Sequence, residues 1–555
     1  MQNFELSYKK IYKPFSNNLE DINLFSILKK ILFSNKDFLY VAALYSLVIS
    51  LLTVATPISI QLLINSVANT GMLQPIITLG IILLVLLIFS SILYSLQIYT
   101  IEVFNKRFIA QISADICKIL IGSNPTDLEK SNSLELVNRF FDVGTIQKTL
   151  PKFLFKILGL ILQGFIGLVL VSFYHPFFLI FSLMLILAIY IIFKIYFRKC
   201  YISACYESRR KYDIAGWLED IAQNVMIFKS PIGQKYAKYK TNELTKRYFH
   251  DREIHFTYLF KQSIFLLAIY ALFSSFLLML GGFLVLKGQL TLGQLVAAEL
   301  ILSALLYSIS QLGRDFENIY DFIAACEKLS NFYNIPQEPE QINKQKISSF
   351  KNIKFVNAIS SRNNSIKLNI ELENHKKYLI YDRKQDSQRF LIDVLGGFDI
   401  IDYGEIKIDD QNLSGFDLND FREKIIHIDS KPLIEGTLIE NLTFYQKNIE
   451  KTWVNKILSD LNLDKSIDKF EEKLDLRIIP SGWPFSEQEA VLIKVARALI
   501  LKKEIIILSE IFDIIDYKTR QNILHYLQKE SKAMIIYFSN HNDENNEIFD
   551  KIIYI

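Results

Sequence analysis

Hydrophobic positions come in long uncharged runs as far as about residue 312 and in short alternating ones beyond it. Between Asp37 and Glu102 there is no charged side chain. One membrane-crossing helix needs only about 20 apolar residues, so this run predicts two, reversing between Asn65 and Pro75. A second uncharged run, Ile157 to Phe193, is interrupted at Tyr174-His175-Pro176, where a backbone leaving hydrocarbon has to turn. A third pair, Gln262 to Leu286 and Leu292 to Leu312, is parted by Lys287-Gly288-Gln289. The pattern predicts six spans in three hairpins, and a soluble core has no place for that many runs of this length.

Charge then orients the spans. Residues 65–75, 174–176 and 287–291 hold one Lys between them, whereas residues 194–261 hold 14 Lys or Arg. The positive-inside rule puts both termini in the cytoplasm. Residues 102–151 and 194–261 keep an amphipathic helical pattern, so the spans are expected to run on as helices tens of ångströms into the cytosol. Glu299 lies within the sixth span, where a carboxylate without a partner costs a few kcal/mol. Two readings stand for it: it lines a central transport pathway, or it bonds between helices or lies near the outer interface.

Around residues 334–346 the chain becomes NIPQEPEQINKQK, a polar, proline-containing linker. Beyond it, short β-branched runs at Ile366 to Ile370, Tyr378 to Tyr381, Ile406 to Ile408, Ile505 to Leu508 and Met534 to Phe538 alternate with helical stretches, which reads as a mixed α/β domain. The expected division is 1–37 N-terminal cytosolic segment, 38–333 six-helix membrane domain, 334–346 linker and 347–555 cytosolic α/β domain.

Composition agrees with a joined pair of unlike parts. The 555 residues exceed one ordinary core, and 51% hydrophobic residues coexist with 22% charged ones. A net charge of +4 with no long basic run gives no sign of nucleic acid binding. Cys117, Cys200, Cys205 and Cys326 form no CxxC pair, so neither a metal site nor a disulfide framework is signalled. The polar N-terminus lacks the apolar core of a secretory signal.

Short outer loops, two long inner helical hairpins and six spans resemble the exporter-type membrane domain of the ATP-binding cassette (ABC) transporter family. Residues 281–306, GGFLVLKGQLTLGQLVAAELILSALL, are similar to the corresponding region of type I secretion and peptide-exporting ABC proteins. The resemblance implies short coupling helices at the inner tips, matching Ser133 to Phe140 and Trp217 to Asn224. In the second half, Val495-Ala496-Arg497-Ala498-Leu499, Lys503 to Glu510 and Asp513 to Asp516 resemble the stretch from the helix after the ABC signature through the Walker B strand to the D-loop. Leu395 to Phe398, Gly404 to Asp409 and Pro432 to Asn441 follow the family order. The implied fold class is a membrane all-α domain of six helices plus an ABC-type α/β nucleotide-binding domain.

The residues that handle ATP in that family are largely replaced. A phosphate loop needs glycines, so that several amides can converge on the oxygens, and a Lys after them. Asp382-Arg383-Lys384-Gln385-Asp386-Ser387-Gln388-Arg389 has no glycine, with Gln388 in place of the Lys and Arg389 in place of the magnesium-binding Ser or Thr. The Walker B pair is Ser509-Glu510, keeping the Glu that polarises water but not the Asp that holds magnesium. The signature LSGGQ aligns with Phe485-Ser486-Glu487-Gln488-Glu489, whose carboxylates repel phosphate. Asp429 stands for the Q-loop Gln, His541 for the switch His, and residues 356–377 contain no aromatic to stack adenine.

ATP and magnesium are thus implied only by resemblance, and no cofactor is read from the residues themselves. The expectation is an ABC-type subunit exporting a peptide, protein or other substrate across the bacterial inner membrane. It would contact lipid and act as a homodimer or as a heterodimer with an intact half-transporter, with a membrane-fusion adaptor as a further partner by analogy. The alternatives are a non-transporting scaffold and an ATP-driven exporter with substitute groups, in which Arg383, Lys384 and Arg389 hold the anion.

Overall fold

The computed structural model describes residues 36–70, 73–125, 128, 137–339, 341, 344–360, 367–382, 386–398, 401–446, 448–540 and 546–555. These fall into two compact units, the first of residues up to 123 and 127–337, the second of residues 124–126 and 338–555.

Six helices of the first unit are long and apolar enough to cross a membrane. They are α1 (Lys36–Thr70), α2 (Leu73–Ile121), α3 (Phe141–Tyr174), α4 (Pro176–Gln223), α6 (Pro231–Leu286) and α7 (Leu292–Tyr333), with the one-turn α5 (Val225–Phe228) between α4 and α6. The turn after Tyr174 is set by His175, whose extended backbone and ring nitrogen cap α4 ahead of Pro176. Thr291 and Gln294 form a capping box that starts α7. At about 1.5 Å per residue, the 48 residues of α4 and 56 of α6 exceed twice the roughly 30 Å of hydrocarbon.

Two kinds of packing hold this unit. On the apolar segments, Val171, Phe178, Phe181, Leu277, Leu284, Ala298 and Leu302 form one buried cluster, while Leu84, Val85, Ile88 and Ile92 of α2 stay exposed, as a lipid-facing surface requires. On the polar extensions, Phe104 and Phe108 of α2, Val143, Ile146 and Leu150 of α3, and Phe316, Tyr320 and Phe332 of α7 make a second core.

The tip between α4 and α6 lies further along than the resemblance implied. Residues 217–223 are the last turns of α4, where Trp217 is buried against Phe228 and Tyr236 with its indole N–H donated to Thr241 at 3.0 Å. The separate helix at the tip is α5, because Asn224 ends α4 and Ser230 caps α6 ahead of Pro231. Of the other expected tip, residues 133–136 lie outside the described residues.

The second unit is α/β. Strands β1 (Asn352–Ser360), β2 (Lys367–Glu373) and β4 (Ile401–Ile408) make an antiparallel sheet with β1 in the middle, and β4 also pairs with Gln411–Asn412. A five-stranded sheet runs in the order β8 (Lys551–Tyr554), β3 (Lys377–Tyr381), β7 (Met534–Phe538), β6 (Ile505–Leu508), β5 (Ile425–Ile428), all parallel. Every residue of β3, β6 and β7 is buried, the unbroken β-branched and aromatic pattern of strands covered on both faces. Helix α8 (Asp386–Leu395) follows β3, and helix α9 (Glu487–Ile500) packs into the core above β5 and β6.

Candidate functional site

Asp382, Asp429 and the Ser509-Glu510 pair follow the carboxyl ends of the parallel strands β3, β5 and β6, whereas Ser486 to Gln488 stand at the start of α9. Asp382 follows β3 and is buried; its Oδ2 accepts the backbone N–H of Gln388 at 3.0 Å. Gln388 is the third residue of α8, so this amide is one of those a helix N-terminus offers to an anion. The anion it receives here is the chain's own carboxylate. Ser387 is buried, and Arg389 turns along α8 towards Asp393, at 3.7 Å. Gln385 lies outside the described residues, as do Arg383, Lys384 and His541.

At the end of β6, the Ser509 hydroxyl donates to the Ile428 carbonyl at 2.6 Å, and Ser509 is buried. A hydroxyl turned onto the neighbouring strand offers no carboxylate to a metal. Glu510 accepts from the Asn540 side chain at 3.1 Å. Beyond β5, Asp429 is gripped by Lys494 of α9, whose Nζ reaches the Asp429 carbonyl at 2.5 Å, the Lys431 carbonyl at 2.5 Å and Asp429 Oδ1 at 3.4 Å. Burial pushes the Lys494 ammonium below the usual lysine range and Asp429 opposes this.

Ser486 is the N-cap of α9. It forms a capping box with Glu489: the Ser486 N–H and hydroxyl each donate to Glu489 Oε2 at 2.8 Å, and the Glu489 N–H donates back at 3.3 Å. Glu489 also accepts from the Ser466 hydroxyl. Glu487 is exposed in the first turn, and Gln488 donates to the Ile514 carbonyl at 2.9 Å.

Sequence reasoning left out Lys494, and named Glu489 only within the signature-equivalent stretch and Asp513 only at the start of the D-loop match. Asp513 accepts from Tyr537, from Ser539 and from the Asn540 N–H. For Glu489 a further signal exists, the S-x-x-E spacing of a capping box; Lys494 carries none.

In the first unit, α7 approaches α3 at two glycines. A Cβ on Gly167 would lie 2.7 Å from Ile301 and one on Gly164 3.2 Å from Leu305, the close contact by which membrane helices associate. Glu299 lies on the flank of that packed face, half-buried. Its Oε1 accepts from Ser303, one turn on in the same helix, at 2.5 Å, while Oε2 is enclosed with no hydrogen-bond partner among the described residues. Tyr307 continues the flank by another turn and is exposed.

Six apolar helices with long polar extensions, followed by a parallel α/β unit, define a multi-pass membrane protein with a C-terminal α/β domain. Comparison with known proteins refines this. Residues 39–309 match the family described as the ABC transporter transmembrane region. The leukotoxin translocation ATP-binding protein of Mannheimia glucosida is 24% identical over 285 residues, which cover 50% of this chain and 40% of that protein. A Rickettsia typhi protein named for export ATP-binding/permease function is 26% identical over 288 residues, covering 49% of this chain and 48% of that one. The chain therefore spans less than half the length of these curated relatives. A solved structure of a bacterial Atm1-family ABC exporter with ATP bound superposes with a TM-score of 0.78 at 16% identity, covering 94% of this chain and 93% of that one, a likeness of fold. Residues 39–309 thus carry an ABC transporter transmembrane region, and the chain as a whole has the fold of an ABC exporter.

Proposed function

We propose that this chain is an export subunit of the bacterial inner membrane, both termini cytoplasmic, that moves its cargo without hydrolysing ATP itself. It works as a dimer, with an ABC half-transporter of intact motifs supplying ATP turnover and an envelope adaptor as a further partner. The observation that carries the reading is the Asp382 carboxylate on the Gln388 amide. A triphosphate needs that helix terminus open and positive, and here an internal anion takes the place of an external one. The Ser509 hydroxyl on the Ile428 carbonyl and the Glu489 carboxylate on the α9 cap point the same way. ATP with magnesium does not fit these residues, and no step is derived through it. For the cargo, residues 281–306 and the leukotoxin-translocating relative favour a peptide or protein.

The test is photo-crosslinking of labelled ATP to the detergent-purified chain, with and without magnesium, beside an intact half-transporter. The expected outcome is no labelling, and ATPase at background in both the native chain and Glu510→Gln. Magnesium-dependent labelling near Gln388 or Glu510 would refute the reading.

A further inference from the structure

The polar extensions of α3, α4 and α7 line a partly open cavity of about 280 Å³, walled by Asp142, Thr145, Ser208, Lys211, Tyr212, Ala215 and Asp321. Asp142 stands 15 residues before the uncharged run of α3 and Lys211 stands 18 after that of α4, so the cavity lies roughly 20 Å or more outside the hydrocarbon by helical rise.

One side of it already holds an ammonium group. Lys328 is buried; its Nζ lies 3.1 Å from Asp142 Oδ2 and 3.7 Å from the centre of the Tyr212 ring, and it donates to the Ser208 hydroxyl. The Tyr212 hydroxyl in turn donates to Asp142 at 2.7 Å. Carboxylate, aromatic face and hydroxyl are what a desolvated ammonium requires.

The other side holds a carboxylate with no occupant. Asp321 is half-buried and makes no hydrogen bond or ion pair among the described residues. The charged groups around it are Lys211, Glu207, Glu317 and Arg252, and these are engaged with one another. Lys211 pairs with Glu207 at 3.0 Å, while Arg252 spans Glu207 at 3.1 Å and Glu317 at 2.7 Å. Two cations thus balance two carboxylates, and Asp321 is one negative charge in excess. Burial pushes its carboxyl above the usual carboxylate range, against the pull of Lys211. A half-buried carboxylate facing a cavity is costly unless a cation arrives.

We propose that this cavity binds a small organic ammonium ion, whose N–H groups are taken by the Asp321 carboxylate and whose apolar part rests against Tyr212 and Ala215. The site is independent of the export reading and of the nucleotide-type unit.

The experiment measures binding of the benzylammonium ion and of its neutral counterpart, benzyl alcohol, to the full chain in lipid nanodiscs by equilibrium dialysis. Benzylammonium is expected to bind at least about tenfold more tightly than the alcohol, the worth of a charge-assisted hydrogen bond. Asp321→Asn is expected to weaken benzylammonium by about the same factor. It should leave the thermal midpoint unchanged or raised, since no ion pair is lost. Ala215→Phe, which fills the cavity while keeping Asp321, is expected to abolish binding. Equal binding of the two probes, undiminished binding in Asp321→Asn, or binding that survives in Ala215→Phe would each overturn the proposal.

Discussion

In the α/β unit, Asp382 accepts an amide of the helix that follows it, Ser509 donates to Ile428, and Lys494 holds two carbonyls and a carboxylate of the loop after β5. In the helical unit, among the described residues, Glu299 keeps one enclosed oxygen without a partner and Asp321 keeps its carboxylate unpaired. These named groups are treated in opposite ways, although the α/β unit also encloses atoms without a partner among the described residues, such as His427 Nε2 and Trp453 Nε1. Where a ligand would be expected from the fold, the groups are turned upon one another and hold the loops in place. Where the fold alone implies little, groups are left unsatisfied at a cost of about 1 to 3 kcal/mol each. The unpaired Asp321 carboxylate is the feature on which the proposed ammonium site rests.

The strongest way to break that contrast lies inside the α/β unit, between its strands and its loops. Ile507→Ala empties a fully buried position in the middle of β6 and is expected to cost about 2 to 5 kcal/mol. Gln388→Ala removes a side chain at the loop and leaves its backbone amide on Asp382, so its cost is expected to stay within about 0.5 kcal/mol. Tryptophan fluorescence on heating the full chain reads both, because Trp453 and Trp483 belong to this unit and only Trp217 to the other. Similar costs would mean that the loop is held by something other than the backbone contact.

The next effect sharpens the same contrast at one loop. Lys494→Met leaves the carbonyls of Asp429 and Lys431 without their donor and Asp429 without its ion pair. A loss of about 1 to 3 kcal/mol is expected, towards the lower end because the Asp429 side chain is 28% exposed. Hydrogen exchange of the amides from Lys431 to Ile434 should quicken. Unchanged exchange would show that Lys494 does not fix this segment.

Much of this was legible in the chain, for physical reasons. Uncharged runs of spanning length give the helices, because charge in hydrocarbon is costly. The turn at His175-Pro176 and the cores of β3, β6 and β7 follow from residue types that allow little else. The tip at α5 was misplaced because the family resemblance alone set it at Trp217 to Asn224, whereas Trp217 is buried by Phe228 and Tyr236. Lys494 and Lys328 were silent because their partners stand far away in sequence, Asp429 65 residues before Lys494 and Ser208 120 before Lys328. No local pattern announces such a pair. Glu489 was visible but read for the wrong role, since its spacing from Ser486 serves a capping box as well as it disrupts a phosphate-binding signature.

That double reading of Glu489 sets the smallest and most discriminating expectation. Burial pushes its carboxyl up, but the hydrogen bonds from Ser466 and from the N–H and hydroxyl of Ser486 outweigh this and hold it below the usual glutamate range. A carboxyl whose folded value lies below its unfolded value stabilises the fold fully above the unfolded value, and that contribution is lost as pH falls through the folded one. Glu489→Gln should therefore lower the thermal midpoint at pH 7 by the equivalent of about 1 kcal/mol, the worth of a helix cap. The gap between native and variant chains should close below about pH 4.3. If the carboxylate were instead a poorly placed remnant of a phosphate site, repelled by its own helix environment, its removal would raise the midpoint at pH 7, and acid would narrow the gap from the other side. The sign of the difference at neutral pH thus decides whether this position belongs to the architecture of the second unit or to a chemistry it once shared with ATP.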